Sequence, residues 1–294
     1  MEKTRFEKEL KNEIESNLPT DYELGTKEVV KAEGTFTGIY CSKKSKGDDF
    51  TAAPLFYVEN LYEQYNSGAS IKEMAQYIIE KSVGTELDII AGINSSFDFK
   101  NKEYALANVC EVLLGENATD LINGRNLIHT HLDNLGLYII YEVRGTIDGA
   151  DCAIKVDDNY LKSVGLTEGE IVLAAKNNTE RTASKEFTPL WKVIGLPEMD
   201  NCELYFLGSE YYGAISLFYA DLKSFADKHN CNLYLIPSSV HEWLVYLDRG
   251  NFTKEQLKSM VECVNSTEVK PEEQLSDYVF YYDRNAETFA RLDD

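Results

Sequence analysis

No stretch of this 294-residue chain approaches the roughly 20 consecutive apolar residues that span a bilayer. The opening MEKTRFEKELKNEIESN is charged throughout and has none of the apolar run of a secretory leader. The six cysteines, Cys41, Cys110, Cys152, Cys202, Cys231 and Cys263, form no C-x-x-C pair. Scattered in this way in a chain without a leader, they read as free thiols, and the expected location is the cytoplasm. Nucleotide and metalloprotease signatures are missing as well: there is no P-loop, no G-x-G-x-x-G and no H-E-x-x-H. Cations are scarce. Lys+Arg 29 against Asp+Glu 50 gives a net charge of −21. Such a surface repels phosphate backbones and anionic lipid, so neither direct nucleic-acid binding nor membrane binding is expected. It leaves room for a protein that mimics nucleic acid with its own carboxylates.

What is present is an ordinary globular composition, 44% hydrophobic and 27% charged, long enough to bury a large core without disulfides or metal. Phe6, Leu10, Ile14 and Leu18 recur every four residues and predict a helix over 4–18, with Thr4 and Glu7 at capping-box spacing. Strands are expected at 27–31, 35–41 and 55–58, with a turn over 42–49. Three later stretches share one order. Ser70/Glu73, Thr167/Glu170 and Thr253/Gln256 each form a capping box that opens an amphipathic helix. Paired strands precede the last two boxes, at 135–143 with 152–156 and at 233–236 with 242–247. Leu257, Met260, Val261 and Val264 make the apolar stripe of the last helix. Further helices are expected at 87–91, 104–114 and 215–228. The fold class is α+β: antiparallel β-hairpins with helices packed on them, as three diverged β-β-α units. The expected division is an N-terminal lobe, 1–185, and a C-terminal lobe, 186–294, packed together or continuous as one domain. The 19 tyrosines are both good strand formers and good interface residues.

The string LYLIPSSVHEWLVYLD, 233–248, places a hydroxyl, an imidazole and a carboxylate within a few residues. Ser239, His241 and Glu242 are therefore candidate catalytic residues for a nucleophile–base pair. Strand parity separates them: His241 shares a face with Trp243, Val245 and Leu247, whereas Glu242 shares the other with Leu244 and Tyr246. The competing reading is a structural turn, with serine side chains bonding the backbone and His241 sealing the sheet end. His129 and His131 form an H-x-H whose rings, on a strand, stand on one side roughly 6.6 Å apart, a zinc-compatible spacing, with Asp133 or His241 as a third ligand. Parity with Leu135, Leu137 and Ile139 argues instead for a core-facing pair. His229, at a helix C-terminus, needs no function.

The same string, followed by MVECVNSTEVKPEEQLSDYVFYYDR at 260–284, resembles an uncharacterised bacterial group, domain-of-unknown-function family 5688. The pieces APLFYVENLYEQYNSG, LINGRNLIHTHLDNLGLYIIYEV and LYFLGSEYYGAISLFY agree in order. The resemblance implies a Gram-positive anaerobe as source and gives no catalytic role. It directs attention to Pro237, Ser238, Ser239, His241 and Glu242, to Asn265, Glu268, Glu272, Ser276 and Asp277, and to His129. Of these, Pro237, Ser238, Ser239, His241, Asn265 and Asp277 are the expected binding residues. The resulting expectation is a non-enzymatic binding or regulatory protein with a protein partner and no cofactor. The alternatives are a hydrolase centred on Ser239 and His241, and an acidic nucleic-acid mimic that inhibits a DNA-binding or defence protein.

Overall fold

In a computed structural model, residues 1–31, 34–44, 53–83, 98–147, 150–199, 201–209 and 211–292 are described. The chain divides into two compact units, 1–98 with 145–152, and 99–144 with 153–294. The second unit runs through position 185, where the sequence places a lobe boundary.

The first unit packs helices α1 (Lys3–Asn17), α2 (Val58–Asn66) and α3 (Ile71–Ser82) on a three-stranded antiparallel sheet, β1 (Tyr22–Lys31), β2 (Gly34–Lys43) and β3 (Phe56–Tyr57). Phe6, Leu10 and Ile14 are fully buried against Ile39, Cys41, Val58 and Ile78, so the four-residue spacing does mark the core face. The capping box expected at Thr4 and Glu7 does not form. The N-cap falls two residues early, at Glu2 with no side-chain cap, so Thr4 is already helical. Of the expected turn over 42–49, Ser42 and Lys43 belong to β2 and residues 45–49 lie outside the described residues, as does the expected helix at 87–91.

The second unit holds two antiparallel sheets. One is built from β4 (Val109–Gly115), β5 (His129–Leu132), β6 (Leu137–Ile147) and β7 (Ala150–Lys155), with β6 central; the end of β6 from Gly145 and the start of β7 to Cys152 belong to the first unit. The other has six strands in the order β13-β12-β10-β11-β9-β8. These are β8 (Thr188–Pro189), β9 (Leu204–Gly208), β10 (Leu233–Pro237), β11 (Glu242–Leu247), β12 (Phe280–Asp283) and β13 (Thr288–Arg291), all within 186–294. The helices are α4 (Lys102–Asn108), α5 (Thr119–Arg125), α6 (Asp158–Val164), α7 (Glu168–Thr182), α8 (Leu190–Val193), α9 (Leu222–His229) and α10 (Lys254–Thr267). One large core joins the two sheets. Val112, Leu113 and Ile140 contribute from the first, and Leu207, Leu233, Leu235, Trp243, Val245 and Phe280 from the second.

The fold is thus α+β, with antiparallel sheets and helices packed on them. All three capping boxes form in full, at Ser70/Glu73, Thr167/Glu170 and Thr253/Gln256. The β6–β7 and β10–β11 hairpins lie in different sheets, and each precedes a boxed helix; Asp157 caps an extra helix, α6, before Thr167. Two expected helices are corrected. Residues 109–114 form strand β4, because the VCEVLL run is enclosed on both faces and pairs with β6 from Val109↔Val143 to Gly115↔Leu137. The helix expected over 215–228 is broken into a 3-10 helix, Gly213–Phe218, and α9, because Asp221 caps a new start by accepting Ser224 N–H at 2.8 Å.

The box at Thr167 gives a direct test. Glu170 accepts Thr167 N–H at 2.9 Å, and Lys102 reaches it at 2.9 Å. The backbone hydrogen bond, followed by that from Lys102, lowers its pKa to about 2. The support this carboxylate gives the fold is present above the ordinary carboxylate range and is lost as pH falls toward about 2. Thr167→Ala is expected to cost about 1 kcal/mol in urea unfolding and to move the Glu170 carboxyl upward in a ¹³C titration. An unmoved titration would show that the Thr167 N–H and Lys102, both left in place by the substitution, set it.

Candidate functional site

Three of the stretches that carry the family resemblance meet at the turn between β10 and β11. Ser239 Oγ accepts the His241 N–H at 3.0 Å, and Ser239 N–H donates to Glu242 O at 3.2 Å, closing the turn with its own backbone. His241 Nδ1 accepts the Tyr212 N–H at 3.0 Å. An acceptor nitrogen is unprotonated, so the ring proton sits on Nε2. Two backbone bonds tie the loop after β9 to the same turn: Ser209 N–H to His241 O and Ala214 N–H to Val240 O, both 3.2 Å. The approach is close enough that a Cβ on Gly213 would meet His241 O at 2.5 Å. Tyr212 takes a left-handed conformation, φ 47°, to make that contact. From the other side, Val240 N–H donates to Glu273 O at 2.8 Å.

Asn265 organises the third stretch. It is 6% exposed, and its amide donates to Ser276 O at 3.1 Å and to Asp277 Oδ1 at 2.8 Å. Gln274 donates back to Asn265 O at 2.7 Å and to Val269 O at 2.9 Å. The segment after α10 is thereby fixed to the helix end, and Asn265 is held in place rather than free to swing.

The six-stranded sheet has two apolar faces. Leu233, Leu235, Trp243 and Val245 turn into the large core. Tyr234 and Ile236 turn outward to meet Leu257 and Val261 of α10. α10 covers only part of this outer face. Beside it runs a groove of about 240 Å³, lined by Leu204, Ile236, Leu244, Tyr246, Met260 and Val264, with Pro237, Ser238 and Asn265 also in its wall. The sequence assigned Met260 and Val264 to the core stripe. They are 53% and 44% exposed, because helical spacing fixes a shared flank and cannot say how far the sheet reaches beneath it. Phe252, 39% exposed, also lines the groove.

The structure therefore separates the expected site residues. Pro237, Ser238 and Asn265 line the groove, and Asp277 holds Asn265. Ser239 and His241 point their polar atoms at backbone groups around the turn, and Glu242 lies on the opposite strand face from Trp243. His129 Nδ1 bonds Leu127 O at 2.9 Å; His131 stacks on Tyr138 and lies 2.6 Å from Asp133. Both histidines are exposed, not core-facing: β5 is an edge strand, exposed on both faces, and its pairing with β6 sets them opposite Ile140 and Tyr138 rather than in line with Leu137 and Ile139. Among the described residues no three His, Cys, Asp or Glu side chains gather as a metal would need. Burial pushes the Cys41 and Cys110 thiols up to about 11, so neither is a thiolate at neutral pH.

A second polar cluster escaped the sequence reading. Glu142 is fully buried on β6, with one oxygen on Lys155 Nζ and the other 3.7 Å from Arg144 Nε. Arg144 lies 4.6 Å from the Tyr211 ring centre and Lys155 5.7 Å from that of Tyr212. Burial first, then Glu142, pushes the Tyr211 phenol up to about 12. The available signal was a glutamate and an arginine two apart, hence on one face, in the otherwise apolar run LYIIYEVR.

No helix among the described residues is long and apolar enough to cross a membrane. No curated protein and no solved structure matches the chain. A family model does, over residues 3–284, nearly the whole chain and every segment that builds the turn and the groove. The chain belongs to the family of unknown function DUF5688.

Proposed function

We propose that this chain is a non-catalytic binding protein and that its site is the groove between α10 and the outer face of the six-stranded sheet. The observation that carries this reading is the groove itself: about 240 Å³ of space walled almost wholly by apolar side chains, with Pro237, Ser238 and Asn265 in that wall. Pockets of this make-up gain affinity by taking an apolar group out of water, and the few polar groups at their margin orient it. Exposed Met260 and Val264 extend the apolar surface past the groove, and methionine adapts its shape to what it meets.

The same geometry favours binding over hydrolysis. A serine nucleophile needs a ring nitrogen with a free lone pair to take its proton. In His241 one nitrogen accepts the Tyr212 N–H and the other carries the ring proton, while Ser239 Oγ accepts a backbone N–H. The turn supports the wall of the groove and contributes Pro237 and Ser238 to it.

The test uses a neutral fluorescent probe, N-phenyl-1-naphthylamine, with the full chain. It is expected to bind saturably with a blue-shifted emission. Val264→Trp, which fills the groove without changing charge, is expected to weaken binding at least tenfold at unchanged melting temperature. Probe emission that stays at its value in water, or binding indifferent to Val264→Trp, overturns the reading.

A further inference from the structure

Resting on the groove as the binding site, we infer that its occupant is a basic amphipathic segment of a partner protein, with apolar side chains in the groove and lysines or arginines at its ends. The inference comes from charge. α10 turns Leu257 and Val261 to the sheet. Helical spacing then places Gln256, Cys263 and Thr267 on the flank shared by Met260 and Val264, and none of these carries a charge. The helix's lysines sit on the other side: Lys254 and Lys258 line a separate small cleft with Val279 and Leu292. No cation is among the residues that line the groove.

Carboxylates stand at both ends. Glu242 shares its strand face with Leu244 and Tyr246, next to Pro237 and Ser238. At the far end Glu203 accepts the Tyr246 hydroxyl at 3.2 Å and the Asn251 amide at 2.9 Å. Leu247 N–H bonds Glu203 O, so the two glutamates lie five strand residues apart, about 17 Å along β11. An apolar floor of that length with a carboxylate at each end matches two or three turns of an amphipathic helix, or a short extended segment, with a cation at each end. A net charge of −21 opposes a second copy of this chain or an anionic surface as occupant, and steers cationic segments in.

The probe is a short synthetic peptide of leucine and lysine with its leucines on one helical face, labelled and followed by anisotropy at physiological salt. A scrambled peptide of the same composition is the control for attraction by overall charge. The patterned peptide is expected to bind at least tenfold more tightly than the scrambled one. Val264→Trp should lower its affinity about tenfold. Glu203→Gln with Glu242→Gln, which keeps the hydrogen bonds of Glu203, should lower it several-fold and flatten its salt dependence. Equal affinity for both peptides, or peptide binding untouched by Val264→Trp, overturns the inference. So does a concentration-dependent dimer, in sedimentation, that Val264→Trp abolishes. Neutral probe bound but peptide not bound defeats this inference and leaves the binding reading standing. Failure of the neutral probe as well defeats both.

Discussion

Trp243→Ala is expected to destabilise the second unit by about 4 kcal/mol or more, the largest effect of any single truncation proposed for this chain. Trp243 is fully buried, and its ring meets Phe280 edge-on at 5.4 Å between centroids. Its removal deletes a large apolar contact and leaves a cavity in a core that packs two sheets together. A second loss follows from the indole N–H, which donates to Ala214 O at 2.8 Å and holds down the 3-10 helix Gly213–Phe218. An orphaned buried carbonyl costs about 1–3 kcal/mol more. Trp243→Phe separates the two contributions, because it keeps much of the packing and loses the bond. Urea unfolding followed by circular dichroism gives the free energies. Hydrogen exchange at Tyr212, whose N–H is bonded to His241 Nδ1, reports whether the loop after β9 loosens first. A loss under about 2 kcal/mol for Trp243→Ala would show that the core closes around the gap.

Glu142→Ala is the second large effect, expected at about 2–3 kcal/mol. Removing one member of a buried ion pair costs roughly 3–5 kcal/mol, because the partner keeps its charge and loses its counter-charge. Here the partners are two cations, Lys155 and Arg144, whose side chains are 25% and 31% exposed, so water relieves part of the penalty. The loss should shrink when Lys155→Met is added, since the unpaired ammonium is then gone. That non-additivity is the signature of a coupled network. Additive losses would mean that Glu142 acts through packing alone.

Most of the architecture was legible because it is written in local chemistry. A capping box is a pair of residues three apart, and the strands of the β6–β7 and β10–β11 hairpins were visible as apolar runs, the latter pair flanking Pro-Ser-Ser. β4 was misread for a physical reason. A strand covered on both faces loses its period-two alternation, and VCEVLL after an alanine-rich start fits a helix as well. The break before Asp221 was hidden because Phe218, Leu222 and Phe225 keep helical spacing across it. The groove was half legible. LYLIP and EWLVYL are apolar on both faces, which announces a cover on each side. That α10 covers only part of the outer face depends on how the helix lies on the sheet, and side-chain spacing carries no record of that. The turn at 237–242 stood out by composition, and Ser239 bonds within it, while the partner of the His241 ring, Tyr212 N–H, comes from a distant segment.

The strand order of the large sheet has one more consequence, for how this chain behaves when crowded. A sheet that ends in open strands invites a seventh, and the two margins here differ in what they offer. β8 is two residues long and includes Pro189, which has no N–H to give, so a strand arriving on that side finds little to pair with. β13 is four residues long, with Thr288 and Ala290 exposed and no proline. Its guard is charge: Arg291 within it and a strongly anionic molecule behind it. Near pH 4.6, where partly protonated carboxylates bring the net charge to zero, that guard is weakest while the backbone of β13 stays as exposed as before, so aggregation of this protein should begin there along its last strand and ease again in stronger acid, where the chain turns cationic.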